Sequence, residues 1–572
     1  MPGFERWVNH ILICDVLVVG GGSAGCMAAV RSAESGAKII LADKGHIGRS
    51  GSSPFAAGAI NICLPDDDHQ VWLEEIITRG EYLNDQEWVK IQLAEGFDRM
   101  KELQSWGKEY GKRVLEEDDQ GNLIRRKARG NINTRTAIIN AFPMMDTLRR
   151  KVQASGVELV ERVMVTDLLL EGERVVGAIG IHCQSAELYL FQARSVVLAA
   201  GGCGFKSFFI GHHNLTGEAH YMAYRAGARL RNLDQAMSNT TAKNLDVHGL
   251  SHMVGSGGRF LNGQGEEFMW KYDPEVGSRA RLTKLVIGMA REVEAGRGPV
   301  YMDLTAVCPE DQQMLRKVVP EGFRAFDRLG INPFNQKVEW MPAFMGSLAH
   351  GGGIHIDTDC ASTIPGLYAA GDASCTPEHG TWSITGLNLT FCFVSGHRAG
   401  LAAAGFVRQA PPADWDSPVL KDQLKNHVAR LLAPVRRREG ITADQVTCQL
   451  LEILTPYQVA YLRNETRLLE SLKKVRSVSS DQVPRVAARD PHELVKANEV
   501  VNMAGVAEMI LRSVLFRQES RGFVYREDFP LTDNINWLKW VAVQRGEAGM
   551  EVLAQDFPTP YLEPPREKYP PR

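Results

Sequence analysis

The feature that most constrains the fold of this chain is a glycine motif set between two strand patterns in the first 44 residues. Gly20, Gly22 and Gly25 form G-x-G-x-x-G directly after the apolar run DVLVV and at the start of the helical pattern CMAAVRSAESG. In such a turn, backbone N–H groups and the helix dipole hold a pyrophosphate. Asp43 ends the next strand pattern, 18 residues after Gly25, where a carboxylate accepts hydrogen bonds from a ribose. We therefore predict a βαβ unit that binds a dinucleotide.

Two further segments favour FAD over NAD as that dinucleotide. SVVLAAGG at 195–202 and T-x-P-G-L-Y-A-A-G-D at 363–372 both match segments of flavoproteins. The second segment places Asp372 just after a strand, where a carboxylate reaches the ribityl chain that only a flavin has. The alternative is that Gly371 and Asp372 form an ordinary surface turn.

Length and composition limit the class of protein. At roughly 150 residues per domain, 572 residues predict three or four structural units. A formal charge of −3 with 23% charged residues argues against a nucleic-acid surface. The apolar run from Ile11 to Val19 is interrupted by a Cys-Asp pair, so we interpret it as a strand, and no run of about 18 apolar residues predicts a membrane span. We expect a soluble, cytoplasmic protein.

The ten cysteines are scattered, and no two of them have a C-x-x-C spacing. This pattern argues against a disulfide framework and against an iron–sulfur cluster held by the chain itself, which would need four closely arranged thiolates. No metal site is predicted. Any cluster must therefore sit on a partner.

The pattern along the chain predicts an α/β fold with a Rossmann-like FAD-binding domain interrupted by an α+β capping domain and followed by a C-terminal helical domain. Strand patterns at 158–200 suit an added sheet, and glycine-rich loops with charged helices fill 216–345. We predict an FAD-binding domain at 1–215 and 346–410, a capping domain at 216–345, a helical domain at 411–545, and a proline-rich tail at 546–572 that lies extended on a surface or is disordered.

With these motifs in order, the chain resembles the flavoprotein family of succinate dehydrogenase, fumarate reductase, L-aspartate oxidase and the adenylylsulfate reductase alpha subunit. The likeness covers nearly the whole chain. It includes MAYRAG at 222–227, FLNGQGEEFMWKY at 260–272, GRGPVYMDL at 296–304, HGG at 350–352 and ESRGFVYREDFP at 519–530. The resemblance implies that substrate is held between the cap and the flavin.

The glycine motif and the resemblance together assign a set of residues to the cofactor. The predicted FAD-binding residues are Gly20, Gly22, Ser23, Ala24, Gly25, Asp43, Lys44, Arg49, Ser50, Gly51, Ser52, Gly58, Val163, Ala200, Gly201, Gly202, Thr216, Glu218, Gly371, Asp372, Asn388 and Leu389.

Several positions depart from the family pattern. Members with covalent flavin carry a histidine where this chain has Gly51, so we predict non-covalent FAD. Dicarboxylate members carry His-Pro-Thr-Gly at the position of Asn239–Ala242, a histidine at that of Leu348, and Ala-Asn-Arg at that of Thr381–Ser383. Because a C4 dicarboxylate needs fixed cations for two carboxylates, fumarate and succinate are poor candidates.

An arginine at the start of a cap helix acts near the flavin in this family. The candidates are Arg279 and Arg281, with Ser278 as a possible helix cap. The alternative for both arginines is a charge on the helix surface. The predicted buried stripe of this helix is Leu282, Val286, Met289 and Val293, which places Arg281 at its edge facing the cleft.

Histidines supply the other candidate chemistry. His350 lies in A-H-G-G-G-I, among glycines that permit close approach, and is a candidate general acid or base. It is equally consistent with a structural hydrogen-bonding group. His379 matches a histidine that the family shows in this loop, and Trp382 either stacks on substrate or fills the core.

Three hypotheses of different class remain open. The first is an FAD-dependent oxidoreductase acting on a small anionic or carbonyl-activated substrate and exchanging electrons with oxygen, with a soluble carrier or with a separate iron–sulfur subunit. R-S-G at the flavin turn and A-I-N-I-C after it make an adenylylsulfate reductase-like alpha subunit the runner-up. The second is an electron-transfer subunit of a larger redox complex. The third is that the cap and tail chiefly bind partners.

Overall fold

The computed structural model describes residues 4–56, 58–127, 131–207, 209, 211–247, 249–382 and 384–571. Its strands are β1 His10–Ile13, β2 Val16–Val19, β3 Ile39–Asp43, β4 Ala59–Asn61, β5 Arg125–Arg126, β6 Thr136–Ile138, β7 Glu158–Glu161, β8 Val163–Glu171, β9 Arg174–His182, β10 Leu188–Gln192, β11 Ser195–Leu198, β12 Leu230–Arg231, β13 Met237–Ala242, β14 Arg259–Leu261, β15 Val300–Asp303, β16 Val338–Gly346, β17 Gly353–Ile354, β18 Leu367–Ala369, β19 Thr532–Asp533, β20 Trp540–Gly546, β21 Gly549–Gln555 and β22 Lys568–Tyr569. Its α-helices are α1 Ser23–Glu34, α2 His69–Arg79, α3 Gln86–Glu109, α4 Ala141–Ala154, α5 Glu218–Arg225, α6 Leu250–Gly255, α7 Leu282–Glu294, α8 Pro309–Val318, α9 Pro320–Arg328, α10 Leu387–Gln409, α11 Pro418–Leu431, α12 Ala443–Leu454, α13 Tyr457–Ala460, α14 Glu465–Ser477 and α15 Pro491–Phe516.

A five-stranded parallel sheet forms the centre of the first domain, which we call the sheet domain. Its strand order is β18-β11-β2-β3-β7, with Val18 opposite both Leu41 and Val197. The strands β2 and β11 are entirely buried, as strands covered on both faces must be. The predicted βαβ unit is confirmed as β2, α1 and β3.

Helices α1 and α10 pack on each other through small residues. A Cβ atom on Gly396 would lie 2.4 Å from the backbone oxygen of Ala24, and one on Gly400 would lie 2.4 Å from that of Ala28. Only glycine fits at these two positions without a shift of the backbone. This contact joins the first α-helix of the chain to one about 370 residues further along.

The apolar run from Ile11 to Val19 is not one strand. Its first half, β1, pairs with β10 in an added sheet of order β1-β10-β9-β8, and its second half, β2, enters the parallel sheet. The break falls at Cys14–Asp15, where the Asp15 carboxylate accepts a hydrogen bond from the backbone N–H of Lys38. The strand patterns predicted at 158–200 also divide between the two sheets, because β7 and β11 belong to the parallel one.

The capping domain is built on an antiparallel sheet of order β13-β16-β15-β14. It has a separate apolar core, which includes Phe260, Phe268 and Trp340 and continues onto α7. The preceding helix α5 packs instead into the core of the sheet domain, through Ala219 and Met222. The cap sheet therefore starts at β13, about 20 residues after the predicted boundary at residue 216.

The C-terminal unit consists of helices α11 to α15 together with a short sheet of order β17-β12-β20-β21. Within the segment predicted as a tail, β21 pairs with β20 and β22 pairs with β19. Between them the chain runs extended over the surface, and the backbone N–H groups of Tyr561 and Leu562 donate to the side-chain oxygen of Gln86.

All ten cysteines are free thiols, and the described residues contain no group of side chains arranged to hold a metal ion. Across the same residues, no helix is both long and apolar enough to cross a membrane.

A buried ion cluster links the sheet domain to α15. The Lys44 ammonium lies 2.6 Å from Glu218 and 2.9 Å from Glu499, and Lys206 also pairs with Glu499. Burial opposes the charge on Lys44, but the two carboxylates outweigh it and raise its pKa. The pKa of Glu499 is lowered, because the attraction of the two ammonium groups outweighs the effect of burial.

We expect Glu499→Gln to lower the free energy of unfolding by about 3–5 kcal/mol, because it removes one partner of a buried ion pair. The control is Glu339→Gln, which breaks the exposed pair with Lys243 and should cost less than about 1 kcal/mol. Urea unfolding monitored by tryptophan fluorescence compares the two. Equal effects would contradict a stabilising role for the cluster.

Candidate functional site

A cavity lies between the carboxyl ends of the parallel strands and the cap. Its walls include the residues that follow β2, β3, β11 and β18 in the sheet domain, and Met237, Leu282 and Met345 from the cap. Ligands bind at this edge in open α/β sheets, because helix N-termini and backbone N–H groups converge there. The cavity is therefore the candidate functional site.

The glycine motif forms the turn that was predicted. Gly20 has a φ of +106°, and a Cβ atom there would lie 2.4 Å from the oxygen of Ala199. A Cβ atom on Gly25 would lie 1.8 Å from the oxygen of Gly20, so this glycine lets α1 pack against the turn. Gly22 is the N-cap of α1, with no side-chain cap and no acidic residue in the first turn. The amide end of the helix therefore faces the cavity without a competing carboxylate of its own.

Asp43 stands at the end of β3, as the sequence predicts. Its carboxylate accepts hydrogen bonds from the backbone N–H groups of Gly21 and Gly45, each at 2.6 Å, and from the Ser50 hydroxyl at 3.1 Å. The side chain thus ties the glycine turn to the loop that follows β3. Its oxygens also line the cavity, where their remaining lone pairs suit hydroxyl donors.

Three predicted residues belong to the buried ion cluster. The Lys44 ammonium donates to the Thr216 hydroxyl at 3.0 Å and to Glu218 at 2.6 Å. Lys44 and Glu218 also line the cavity, whereas Thr216 does not. The positive charge of Lys44 is therefore already matched within the protein.

Asp372 and Asn388 form a polar pair on the cavity wall near the start of α10. The Asn388 amide donates to Asp372 at 2.8 Å, and the backbone N–H of Ala349 donates to its other oxygen at 3.1 Å. Burial raises the pKa of Asp372 above its usual value. Gly371 and Asp372 line the cavity, so the alternative of an ordinary surface turn is wrong.

Two histidines and a tryptophan occupy the wall nearest the cap. The rings of His350 and His379 lie 5.2 Å apart between centroids, and Trp382 is 6.4 Å from His350. Burial lowers the pKa of His350 well below its usual value, and the neighbouring His379 lowers it further. Burial alone lowers the pKa of His379 to about 3. Both imidazoles are therefore neutral near pH 7.

Neither candidate arginine lines the cavity. Arg279 is exposed, at the end of a short 3-10 helix. The Arg281 guanidinium sits at the junction of cap and sheet domain, where it donates to the carbonyl oxygens of Arg79 at 2.6 Å and Trp382 at 3.0 Å. Its neighbour Leu282 reaches the cavity. Arg281 therefore lies one residue away from the wall.

Two details predicted for this cap helix are wrong. Ser278 does not cap α7, because the N-cap is Arg281 and the Ser278 hydroxyl instead accepts from the Phe260 N–H at 2.9 Å. Val293 is 37% exposed, because the helix rises from the core near its end, whereas Leu282, Val286 and Met289 are buried as predicted.

Most of the predicted cofactor residues come together in one wall. The lining includes Gly20, Gly22, Ser23, Ala24, Asp43, Lys44, Ser50, Gly51, Ser52, Val163, Ala200, Gly201, Glu218, Gly371, Asp372, Asn388 and Leu389. The lining does not include Gly25, Arg49, Gly58, Gly202 or Thr216.

Some of these five residues have another role in the structure. A Cβ atom on Gly202 would lie 1.7 Å from the oxygen of Ser347, so this glycine allows close backbone packing. Arg49 points to solvent.

Two of the positions that depart from the family pattern line the cavity. Asn239, whose side-chain oxygen accepts from the Thr240 N–H at 2.8 Å, and Leu348 both line the wall. Ser383 lies outside the described residues. His212 and His252 also line the cavity, and the sequence carries no motif that would have singled them out.

Comparison with known proteins agrees with this geometry. The family model described as FAD binding domain matches residues 15–389, more than half of the chain, and the model described as fumarate reductase flavoprotein C-term matches residues 449–569. One subunit of the fumarate reductase (CoM/CoB) of Methanothermobacter marburgensis is 28% identical, over 94% of this chain and 98% of its own length.

Solved structures share the fold. A quinol fumarate reductase structure from E. coli superposes with a TM-score of 0.88 at 22% identity, covering 97% of this chain and 98% of that one. The adenylylsulfate reductase of Archaeoglobus fulgidus superposes with a TM-score of 0.78 at 20% identity, covering 96% of each chain.

The Gly25 contact gives a test of the glycine turn. We expect Gly25→Ala to destabilise the protein by about 1–3 kcal/mol or more, because its Cβ atom has no room beside the Gly20 oxygen. The matched control is Gly255→Ala at the end of α6, where a Cβ atom meets nothing within 4 Å and should be neutral or slightly stabilising. Melting temperatures decide the comparison. A silent Gly25→Ala would show that α1 does not pack this closely.

Proposed function

Because the chain belongs to the family of FAD-binding flavoproteins that includes fumarate reductase and succinate dehydrogenase, we propose that its cavity holds FAD non-covalently. We propose further that this FAD exchanges electrons with a small substrate other than a C4 dicarboxylate. The observation that carries this proposal is the wall of the cavity. This wall contains the glycine turn typical of FAD-binding sites, and most side chains at its cap end are uncharged.

The residues present fit FAD at the dinucleotide end. The uncapped N-terminus of α1, which begins after Gly22, supplies N–H donors for a pyrophosphate, and Asp43 supplies acceptors for a ribose. Asp372 and Asn388, paired on the opposite wall, suit the hydroxyls of a ribityl chain. Asn388 also keeps a buried side-chain oxygen for which the described residues provide no hydrogen-bond donor.

Gly51 supports the non-covalent state. It lines the cavity with a φ of +75°, and a Cβ atom there would meet nothing within 4 Å. The turn therefore offers space but no nucleophilic side chain at this position.

We expect all of the flavin to leave the protein on denaturation. After acid precipitation the supernatant should show the absorption of free FAD, and the pellet should be colourless. Yellow peptide that survives repeated washing would contradict non-covalent binding.

FAD, when bound, supplies hydride transfer to or from carbon. The protein contributes orientation and a proton. His350 is the proposed acid or base, since it lines the cavity and its lowered pKa keeps it neutral, able to accept or donate at pH 7. Arg281 is proposed to stabilise negative charge from its place beside the wall.

The cap end favours a carbonyl-activated substrate among the two classes that the sequence left open. Of the described lining residues, the charged ones are Asp43, Lys44, Glu218 and Asp372, and Lys44 is paired within the protein. The positions where dicarboxylate members carry histidines hold Asn239 and Leu348 instead. The two carboxylates of a C4 dicarboxylate substrate would therefore find no fixed cations here to bind them tightly.

The proposed electron partner is a separate iron–sulfur subunit. The relatives are named as subunits, and the described part of this chain holds no cluster of metal-binding side chains. The likeness to adenylylsulfate reductase shows a shared fold and does not indicate the activity of this chain.

A role as an electron-transfer subunit is the second candidate function, and the substitution of the dicarboxylate-binding groups favours it. The cytoplasmic location stays a prediction.

The function is tested by mixing enones, unsaturated thioesters and fumarate with the protein holding reduced FAD, and succinate with the protein holding oxidised FAD, in the absence of oxygen. At least one carbonyl-activated compound should change the flavin spectrum, and fumarate and succinate should not. His350→Asn should slow that change by about 10²–10⁴-fold.

His69→Asn is the matched control, at an exposed histidine that starts α2, and it should leave the rate unchanged. A flavin that responds to fumarate, or a His350→Asn variant as fast as the parent, would contradict the assignment. No response to any compound would favour the electron-transfer candidate.

A further inference from the structure

Beside the two cavity histidines lies a carboxyl group that neither the family motifs nor the proposed reaction uses. Glu378 is fully buried, and its carboxyl oxygen Oε1 lies 3.7 Å from the Nε2 atom of His379. The next ring is that of His350, at 5.2 Å between centroids, and it reaches the cavity. Glu378, His379 and His350 therefore form a column of titratable groups from the interior to the cavity.

The polar atoms of this column are unused elsewhere. Both carboxyl oxygens of Glu378, both ring nitrogens of His379 and the Nε2 atom of His350 are buried without a hydrogen-bond partner in the described part of the chain. Unpaired buried polar groups are costly, so a native structure that keeps five in one column calls for an explanation. The 3.7 Å between the Glu378 carboxyl and the His379 ring is longer than a direct hydrogen bond, and such a separation leaves room for an intervening water molecule.

The charges around Glu378 suit a group that gains and loses a proton. Burial raises its pKa well above the usual value, and the negative charge of Asp372 raises it further, so both effects favour the protonated carboxyl. The buried guanidinium of Arg231 in β12 opposes this shift. Arg231 lies 3.6 Å above the ring of Trp540, with no acceptor for its N–H groups among the described residues. Its charge is therefore available to stabilise a carboxylate at Glu378.

Electron carriers create a need for such a group. An iron–sulfur centre delivers electrons alone, whereas two-electron reduction of a flavin also takes up a proton. We propose that Glu378, His379 and His350 form a buried proton relay that delivers this proton to the cavity when electrons arrive, and removes it in the reverse direction. The proposal rests on the proposed binding of FAD, and it needs no particular substrate.

Each proton transfer in the relay breaks one bond to hydrogen and forms another. The O–H bond of Glu378 breaks as an N–H bond forms on His379, and His379 passes a proton from its other nitrogen to His350 in the same way. His350 releases one proton to the acceptor in the cavity. The two electrons come from the external donor, none moves along the relay, and one proton taken up from the surrounding solution restores the Glu378 carboxyl.

The test uses an electron donor that carries no proton. FAD-loaded protein is mixed with reduced methyl viologen in weakly buffered solution containing a pH indicator, and flavin absorbance and proton uptake are followed together by stopped flow. We expect Glu378→Gln to slow proton uptake at least about tenfold, with the same final amount, and Glu378→Asp to recover part of the rate. The control is Glu321→Gln, at an exposed carboxylate on α9, which should change nothing.

Two further measurements keep the relay falsifiable if Glu378→Gln does not fold. His379→Asn interrupts the column at its second member and should slow proton uptake to a similar extent. In the parent protein, infrared spectroscopy should show a protonated-carboxyl band that shifts in D2O and is absent from Glu378→Gln. The pKa values of Glu81 and Asp372 are also raised above their usual values, so these groups can contribute protonated-carboxyl bands of their own. The relay therefore predicts that Glu378→Gln removes one such band and leaves the others.

The outcomes separate the relay from the proposed function. Protein that does not retain FAD contradicts the proposed function and leaves nothing for the relay to serve. Protein that binds FAD, is reduced by methyl viologen and takes up its proton at the parent rate in both variants overturns the relay and shows that the proton comes directly from solvent.

Discussion

Contact between backbones at the glycine turn is the constraint on which the rest of the structure depends. Because Gly20, Gly25, Gly396 and Gly400 carry no side chain, β2, α1, β11 and α10 approach until backbone oxygens would touch a Cβ atom. This closeness aligns the carboxyl ends of four parallel strands with the N-terminus of α1. The cavity lies at that edge, and a side chain on any of these glycines would push apart the elements that form it.

Buried charge then ties distant parts of the chain to this edge. The cluster of Lys44, Glu218 and Glu499 joins β3, α5 and α15, which are separated by hundreds of residues in sequence. Its members balance one another, so the cluster fixes position and leaves little net charge for a ligand. The sheet domain, although interrupted by the cap, is thus completed by a helix of the C-terminal unit.

The sequence predicted those parts of the site that depend on local geometry. The turn at Gly20–Gly25, the end of β3 at Asp43 and the Gly371–Asp372 turn are each set by short-range rules of strand and helix, and all lie where expected. The sequence did not reveal that Ile11–Val19 splits between two sheets, because both halves have the same apolar pattern and only their distant partners differ. The start of the cap at residue 216 stays a prediction, and the cap sheet itself begins at β13. Helix α5 has an apolar face, but nothing local says which core that face meets.

Side-chain contacts made across domains were the least accessible to prediction. Helical periodicity predicts that Arg281 faces the cleft, yet the carbonyl oxygens of Arg79 and Trp382, 202 and 101 residues away, hold its guanidinium at the junction. Glu378 directly precedes His379, which matches a histidine of the family. Nothing in the sequence indicates that the Glu378 side chain is buried. Its isolation depends on β12 and on Asp372, which only the folded chain brings together.

The electrostatics of the cavity underlie the proposal of a substrate that is not a C4 dicarboxylate. Backbone N–H groups donate to Asp43, two carboxylates pair with Lys44, and burial keeps His350 and His379 uncharged. Each of these arrangements is stable without a ligand, so the described wall presents dipoles instead of unmatched charge. Under the proposed function, shape and hydrogen bonds would orient the substrate, and electron transfer would add negative charge to the cavity. The proposed relay would supply a proton only when that charge appears, whereas a fixed cation would be present at all times.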